Sequence, residues 1–331
     1  MLLSNKNTIE SLRSMFYTYV APKDLAGDVC YQPSLLQTKT RINNLVATYL
    51  TQDILCDRLE DLPEQFINPQ PRPWQTINWQ RIDSNQILGI DLEVFLKIIK
   101  GALDTESPIR GYTQTSRQYL QSIHPHMARF VGGTVNSDGS LQELGLWEKE
   151  ERQHTPALAK IYQQLSGSKI APDAPTPKVY EPTDTPEEDL YRHGIHRIAT
   201  EYSAVCLYLW LMSRTTDSIQ LVIEELLEDE INHMTKFWGF GQWLYGDGLV
   251  RSLQQSQAVS AMTENRLRAM SHLWSTVSRM MEVLAWDSWH ISHRIELIYT
   301  FVAVGQQLRF WSKSLTREYL AVLFTSSLIS Q

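Results

Sequence analysis

The sequence has few cysteines and no visible targeting segment. The three cysteines in 331 residues, Cys30, Cys56 and Cys206, form no Cys-x-x-Cys pair. This spacing indicates reduced thiols in a cytoplasmic protein. Residues 1–10 lack the basic start and the apolar core of a signal peptide, so secretion is not expected.

Long apolar runs and basic runs are absent as well. The longest apolar run, Ala204 to Met212, is too short to cross a bilayer, so no membrane-embedded protein is expected. The formal net charge is −7, and no basic run or aromatic-basic interleaving indicates a nucleic-acid partner. The chain is 43% hydrophobic and 20% charged, which is typical of a soluble globular protein.

The apolar residues that are present follow a helical period, and no stretch shows sustained strand alternation. We therefore predict an all-α fold in a single domain. Its expected parts are an N-terminal lead-in (1–84), a metal-binding four-helix bundle (85–245) and C-terminal helices (246–331). The predicted helices run from Thr8 to Tyr19, from Lys39 to Leu59, from Asn85 to Ser122 with a kink at Pro108, from Leu141 to Leu165, from Pro186 to Ser213 and from Asp217 to Tyr245.

Two of these helices carry the same motif, a Glu followed three residues later by a His. The pairs are Glu151 with His154 and Glu230 with His233. Residues three apart face the same side of a helix, so each pair brings a carboxylate and an imidazole to one point. One such motif is weak evidence. Two copies, with one further Glu from each remaining helix, make the di-iron or di-manganese site of a ferritin-like bundle.

The remaining helices offer candidates for the two further glutamates. Glu201 lies within the most apolar helix, where an unpaired carboxylate is costly to bury, so metal ligation is the favoured interpretation. The alternative is a buried ion pair with Arg197. On the helix before the first motif, Glu106 lies beside the kink. Helical spacing does not choose between Glu106 and its acidic neighbours Asp91, Glu93 and Asp104.

Four carboxylates and two imidazoles favour iron or manganese over zinc. We expect two iron ions that change between Fe2+ and Fe3+, with manganese as an alternative at one site. Such a pair can use O2 to oxidise an unactivated C–H bond, while the protein supplies position and dryness. Asp229, next to Glu230, is well placed to accept a hydrogen bond from a metal-bound histidine.

The residues around these motifs resemble the soluble acyl-carrier-protein desaturases. Residues 146–154, LWEKEERQH, are similar to the family's W-x-x-E-E-N-R-H segment, and residues 229–233, DEINH, are similar to its D-E-K-R-H. Thr105-Glu106 with Tyr112 resembles the family's T-E-E-x-x-x-x-Y, which selects Glu106 as the ligand. Trp74-Gln75 resembles its W-Q, whose Trp lies on an electron or proton route.

The resemblance implies an all-α homodimer with a di-iron site, a ferredoxin-type electron donor and an acyl chain on an acyl carrier protein. The implied electron or proton route runs from Trp74 through Asp229 to His154. No nucleic-acid or membrane partner is expected. The implied metal ligands are Glu106, Glu151, His154, Glu201, Glu230 and His233.

The sequence also departs from the family pattern. Ala204 stands where many desaturases have a Thr near bound O2, and the segments between and after the ligand groups are shorter. The alternatives are a di-iron halogenase or oxygenase of specialised metabolism, a non-catalytic iron-binding bundle, and an oxidase with a radical on Tyr202. Three further polar residues, Asp287, His290 and His293, are interpreted as surface or interface residues, because no second carboxylate group accompanies them.

Overall fold

Helices make up most of the protein. The computed structural model describes residues 35–173, 186–246, 278 and 280–329 of the chain. The main helices there are α1 (Leu35–Tyr49), α2 (Gln52–Glu60), α3 (Leu62–Ile67), α4 (Leu92–Glu106), α5 (Ile109–Gln121), α6 (Pro125–Gly132), α7 (Leu146–Ser166), α8 (Pro186–Ser213), α9 (Asp217–Tyr245), α10 (Ile291–Ser312) and α11 (Arg317–Ile329). Two short strands, β1 (Thr134–Val135) and β2 (Leu141–Glu143), form an antiparallel hairpin. The predicted all-α fold is confirmed, and none of the described helices is long and apolar enough to cross a membrane.

Four helices, α4, α7, α8 and α9, enclose the centre of the molecule. Helix α8 packs closely against α9, α4 packs against α7, and α7 also contacts α9. Helix α9 is buried on almost every side between Ile219 and Gln242, because α2 and α11 also pack against it. A helix buried around its whole circumference needs such neighbours on every side.

Helix α8 is covered on its outer side by α10 and α1. Arg214, in the turn after α8, forms a buried ion pair with Glu296 of α10. The indole of Trp210 stacks on that of Trp289, with ring centroids 4.7 Å apart. The Leu88 amide donates to the Arg214 carbonyl at 2.7 Å. These contacts hold α8 and its turn to the segments before and after the four central helices.

The predicted helix from Asn85 to Ser122 is wrong in its bounds. Helix α4 begins at Leu92 and ends at Glu106, and a separate helix, α5, begins at Ile109. Pro108 has no N–H to continue the hydrogen-bond ladder, and its ring clashes with the preceding turn. The chain therefore breaks there instead of kinking, and the break leaves Glu106 in the last turn of α4.

Two other predicted helices also differ from the structure. The range from Lys39 to Leu59 is interrupted at Thr51, whose side chain caps α2. Helix α7 begins at Leu146 and not at Leu141, because the hairpin takes up the preceding residues. Gly133 has a φ of +73°, and a Cβ atom there would lie 1.7 Å from a carbonyl oxygen of β2. Glycine is therefore required where the chain enters the hairpin.

The remaining predictions concern the N-terminal segment, the division of the chain into three parts, and three polar residues near the start of α10. The predicted helix from Thr8 to Tyr19 lies outside the described residues, and the three-part division of the chain stays a prediction. Asp287 and His290 are exposed, as expected for surface residues. The interpretation of His293 as a surface residue is wrong, because it is buried and its Nε2 lies 3.0 Å from the Gly89 carbonyl oxygen.

Candidate metal centre

Six acidic and imidazole side chains meet where α4, α7, α8 and α9 come together. One Glu comes from the last turn of α4, one from within α8, and the two Glu-x-x-His pairs come from α7 and α9. All six residues are buried, and the most exposed, Glu106, is 6% exposed. The structure brings together every residue of the predicted ligand set, which consists of Glu106, Glu151, His154, Glu201, Glu230 and His233.

Glu151 and Glu230 lie between the two imidazoles. Glu151 Oε2 is 3.3 Å from His154 Nδ1, and its Oε1 is 3.1 Å from His233 Nδ1. Glu230 Oε1 is 3.2 Å from His154 Nδ1, and its Oε2 is 3.9 Å from His233 Nδ1. Each of these carboxylates thus faces both imidazoles with different oxygens, which is the placement expected of a bridging ligand.

Glu106 and Glu201 flank the two shared carboxylates. Glu106 Oε2 is 3.7 Å from His154 Nδ1, and Glu201 Oε2 is 3.7 Å from His233 Nδ1. The cluster therefore divides into two groups of four residues that share Glu151 and Glu230. Within each group, one ligand atom from every residue lies within 4.8 Å of the others. Each group is able to hold one metal ion.

Several polar atoms at the centre have no hydrogen-bond partner among the described residues. They are Glu151 Oε2, His154 Nδ1, Glu201 Oε1 and His233 Nδ1. A buried polar atom without a partner costs about 1–3 kcal/mol, and such atoms are rare in folded proteins. Bound metal ions would satisfy all four atoms. The donor set therefore fits the pair of cations that the sequence predicts.

The electrostatics of the cluster also favour bound cations. Burial and the charges of Glu151 and Glu201 raise the pKa of Glu230 well above its usual range. Burial and the charge of Glu151 raise the pKa of Glu106 as well. Burial disfavours the charged form of His154, but the contacts to carboxylates, Glu151 first, outweigh it and raise the pKa of the imidazole. These shifts reflect crowded negative charge, which bound cations would neutralise directly.

The outer nitrogen of each imidazole contacts a further carboxylate. His154 Nε2 lies 3.3 Å from Asp229 Oδ2, and His233 Nε2 lies 2.9 Å from Glu150 Oε2. A proton held on Nε2 by these contacts leaves the Nδ1 lone pair for a metal. Sequence reasoning named Asp229 but missed Glu150. The available signal was position, because each residue directly precedes the Glu of one motif and contacts the His of the other.

Trp74 reaches Asp229 from the segment before α4. Trp74 Nε1 donates to Asp229 Oδ2 at 2.8 Å, and its ring centroid lies 6.1 Å from that of His154. The structure thus places Trp74, Asp229 and His154 in the contact order that the resemblance implies. Arg72 also donates to Asp229, from Nε to Oδ1 at 2.8 Å, and was not among the predicted residues.

Two aromatic side chains donate to carboxylates of the cluster. Trp147 is buried, and its Nε1 donates to Glu151 Oε1 at 2.8 Å. The Tyr208 hydroxyl donates to Glu106 Oε1 at 2.7 Å, and burial raises the pKa of this phenol. Sequence reasoning missed Tyr208. It lies seven residues, about two helical turns, after Glu201 and so on a similar face of α8.

Two residues that the sequence offered as alternatives have other surroundings. The Tyr202 hydroxyl donates to the Phe301 carbonyl of α10, which turns the phenol towards that helix. The Arg197 guanidinium lies 4.9 Å from the ring centroid of Tyr112 and 5.4 Å from an indole of α7. Glu201 lies against an imidazole of the cluster. The contacts therefore favour Glu201 as a ligand over its interpretation as the partner of Arg197.

A small, mainly apolar cavity of about 30 Å³ lies between α5, α6, α8 and α9. Its wall includes Leu120, Phe237 and Phe240, and the polar residues there include Arg197. Phe237 packs edge-on against Trp147, with ring centroids 5.2 Å apart. Because Trp147 donates to a carboxylate of the cluster, two aromatic rings in series, Phe237 and then Trp147, lie between the cavity and that carboxylate.

Comparisons of the chain with protein-family models, with curated proteins and with solved structures give no match. The resemblance of its motifs to the acyl-carrier-protein desaturases therefore stays a prediction.

Proposed function

We propose that this protein is an O2-dependent di-iron oxidoreductase with a ferritin-like bundle, related in chemistry to the acyl-carrier-protein desaturases. The observation that carries the proposal is the position of Glu151 and Glu230 between two imidazoles, with one further carboxylate on each side. Iron and manganese suit this set of oxygen and nitrogen ligands. A structural zinc site has four ligands and often thiolates. We propose iron at both positions, with manganese as an alternative at one of them.

The bound iron pair would supply electrons to O2 and the oxidising power for an unactivated C–H bond. The protein's own residues position and shield the centre. Trp147 and Tyr208 each donate a hydrogen bond to a cluster carboxylate, so both carboxylates are held in one orientation. Burial of all six cluster residues keeps bulk water away from the reacting groups.

The apolar surroundings of the centre, with the apolar helix α8 beside it, support an apolar substrate. We propose an acyl chain, carried by an acyl carrier protein, as the substrate. A ferredoxin-type electron donor, a homodimeric state and a cytoplasmic location complete the proposal. Trp74, which is partly exposed, would pass electrons or protons from the surface to Asp229 and His154.

A second candidate function is a di-iron halogenase or oxygenase of specialised metabolism. Ala204 favours it, since this small residue lies on α8 three residues after Glu201, where many desaturases of the family that the motifs resemble carry a Thr. A requirement for chloride would identify the halogenase. The third alternative, a non-catalytic iron-binding bundle, predicts iron binding without O2 uptake coupled to a substrate.

Replacing Trp74 with Phe tests the proposed delivery route. Phe keeps most of the ring packing but loses the N–H that donates to Asp229. We expect both metal ions to stay bound, because Asp229 remains, and turnover to fall by up to about 10–100-fold, the effect of removing the outer partner of a ligand itself. Reduction of the oxidised protein by a ferredoxin-type donor, followed by stopped-flow absorption, should slow in parallel.

The matched control is Trp79→Phe. The Trp79 ring lies under the Lys160 ammonium, 4.5 Å from it, in the same segment before α4. Its substitution should leave the reduction rate unchanged. An equal loss of rate in both variants, or no loss in Trp74→Phe, would contradict the route.

Mass spectrometry of the product tests the reaction itself. An acyl chain on its carrier protein is incubated with iron-loaded protein, reductant, O2 and chloride. Loss of two hydrogens is the expected result, and the Glu201→Ala protein should give no product. Gain of oxygen or chlorine would support the second candidate function. An unchanged acyl chain, with no O2 uptake in the same tube, would contradict an oxidase of acyl chains.

A further inference from the structure

Arg72 lies in a segment without helix or strand, residues 69–78, that contacts both motif-bearing helices. Pro71 and Pro73 flank it. Proline has no backbone N–H, and it restricts the residue before it to extended backbone. The Arg72 amide is therefore the one backbone donor of these three residues, and the two prolines limit the directions in which it can point.

The backbone of Arg72 contacts the carboxylate of Glu150, which in turn contacts His233. The Arg72 N–H donates to Glu150 Oε1 at 2.9 Å. The other oxygen of this carboxylate, Oε2, lies 2.9 Å from His233 Nε2. Glu150 is thus held between the proline-rich segment and the imidazole, and its orientation sets that of the ring.

The side chain of Arg72 contacts the carboxylate of Asp229, which in turn contacts His154. Arg72 Nε donates to Asp229 Oδ1 at 2.8 Å, while Asp229 Oδ2 lies 3.3 Å from His154 Nε2. The two terminal nitrogens of the guanidinium donate to the side chain and the carbonyl of Glu225, each at 2.6 Å. The planar guanidinium thus binds two acidic residues one turn apart on α9, and a lysine ammonium lacks this fork geometry.

We infer that Arg72 is a positioning residue for both halves of the proposed metal centre. Its side chain orients His154 through Asp229, and its backbone N–H orients His233 through Glu150. The inference rests on the proposed di-metal function. It goes beyond that function by assigning one residue, far from every ligand in sequence, to both metal positions. It also predicts that a change of the Arg72 side chain affects the two positions unequally.

The test compares two substitutions of Arg72 with a matched control. Arg72→Gln removes the positive charge and the planar guanidinium but leaves the backbone N–H in place. Arg72→Lys keeps the charge alone. The control is Arg58→Gln, because Arg58 also pairs with a carboxylate of α9, that of Glu228. Among the described residues, neither imidazole of the cluster contacts Glu228. Fe(II) is added without oxygen to the metal-free full-length proteins, and bound iron is measured against free iron.

The wild-type protein should bind two iron ions per chain. In Arg72→Gln, one position should weaken by up to about 10–100-fold, the effect of losing the outer partner of a histidine ligand itself, because Asp229 stays but is no longer held in its orientation. The other position should keep its affinity, since the backbone donor to Glu150 remains. Arg72→Lys should recover part of the loss, and Arg58→Gln should bind both ions as the wild type does. Thermal unfolding of the metal-free proteins, followed by circular dichroism, checks that all variants fold.

Three results would overturn the inference and leave the proposed function standing. Wild-type affinity at both positions of Arg72→Gln would leave the metal centre standing and remove Arg72 from it. Equal weakening in Arg58→Gln would show that any lost ion pair on α9 has the same effect. Equal weakening at both positions of Arg72→Gln would contradict the division between side chain and backbone. If the wild-type protein binds no iron, the proposed function fails, and the inference fails with it.

Discussion

Replacing Glu151 with Ala should release both metal ions, whereas replacing Glu201 with Ala should release one. Glu151 lies between both imidazoles and belongs to both groups of ligands, while Glu201 belongs to one group. Loss of a shared carboxylate takes a ligand atom from each position. The affinity at both positions should therefore fall by more than the roughly 10–100-fold that follows the loss of an outer partner. The measurement is iron per chain after anaerobic loading and gel filtration.

The control for this prediction is Glu148→Ala. Glu148 is also a buried Glu of α7, but it accepts a hydrogen bond from Thr113 and pairs with Arg152. Its loss should destabilise the fold and leave both ions bound. Retention of both ions in Glu151→Ala, or their release from folded Glu148→Ala, would show that Glu151 is not the shared ligand.

Replacing Glu296 with Gln should lower the free energy of unfolding by about 3–5 kcal/mol, the usual cost of breaking a buried ion pair by removing one partner. Glu296 is fully buried, pairs with Arg214 and accepts a hydrogen bond from Trp210 at 3.2 Å. The neutral amide leaves the Arg214 charge buried without a counter-charge. Urea unfolding of the metal-free protein, followed by circular dichroism, measures the change.

An exposed ion pair provides the comparison. Lys97 and Glu93 pair on the surface of α4, where such a contact contributes little because water and salt screen it. Lys97→Gln should leave the urea midpoint unchanged. If Glu296→Gln behaves like Lys97→Gln, the buried pair is not what fastens the turn after α8 to α10.

The two Glu-x-x-His pairs were predictable because helical spacing is a local property of the sequence. Each Glu-x-x-His pair presents both side chains on one face wherever its helix lies. The same spacing did not distinguish Glu106 from its neighbours, and the structure gives the reason. Asp91 precedes the first residue of α4, while Glu93 and Asp104 pair with lysines four residues away. The packing of α4 against α7 brings Glu106 to the cluster.

The supporting contacts were not predictable in the same way, because they depend on which helices become neighbours. Glu150 and His233 are 83 residues apart in sequence, and Arg72 and Asp229 are 157 apart. No local pattern identifies such pairs. The position of Glu150 before its motif, equivalent to that of Asp229, was the one hint in the sequence.

The fold shows the same difference between local patterns, which can be predicted, and features that depend on more than a local pattern. The bounds of α8 and α9 were predicted correctly, since each is one long helical pattern between breaks. The hairpin was missed because strands of two and three residues are too short to show alternation. The break between α4 and α5 was predicted as a kink, because the sequence marks Pro108 but not how far the chain turns there.

We propose that two metal ions share Glu151 and Glu230. Mössbauer spectroscopy of the iron-loaded wild-type protein after exposure to O2 distinguishes such a pair from separate ions. We expect two iron ions per chain that are antiferromagnetically coupled through their shared ligands, so that the oxidised protein has a diamagnetic ground state. One iron per chain, or two iron ions that are magnetically independent, would contradict the claim.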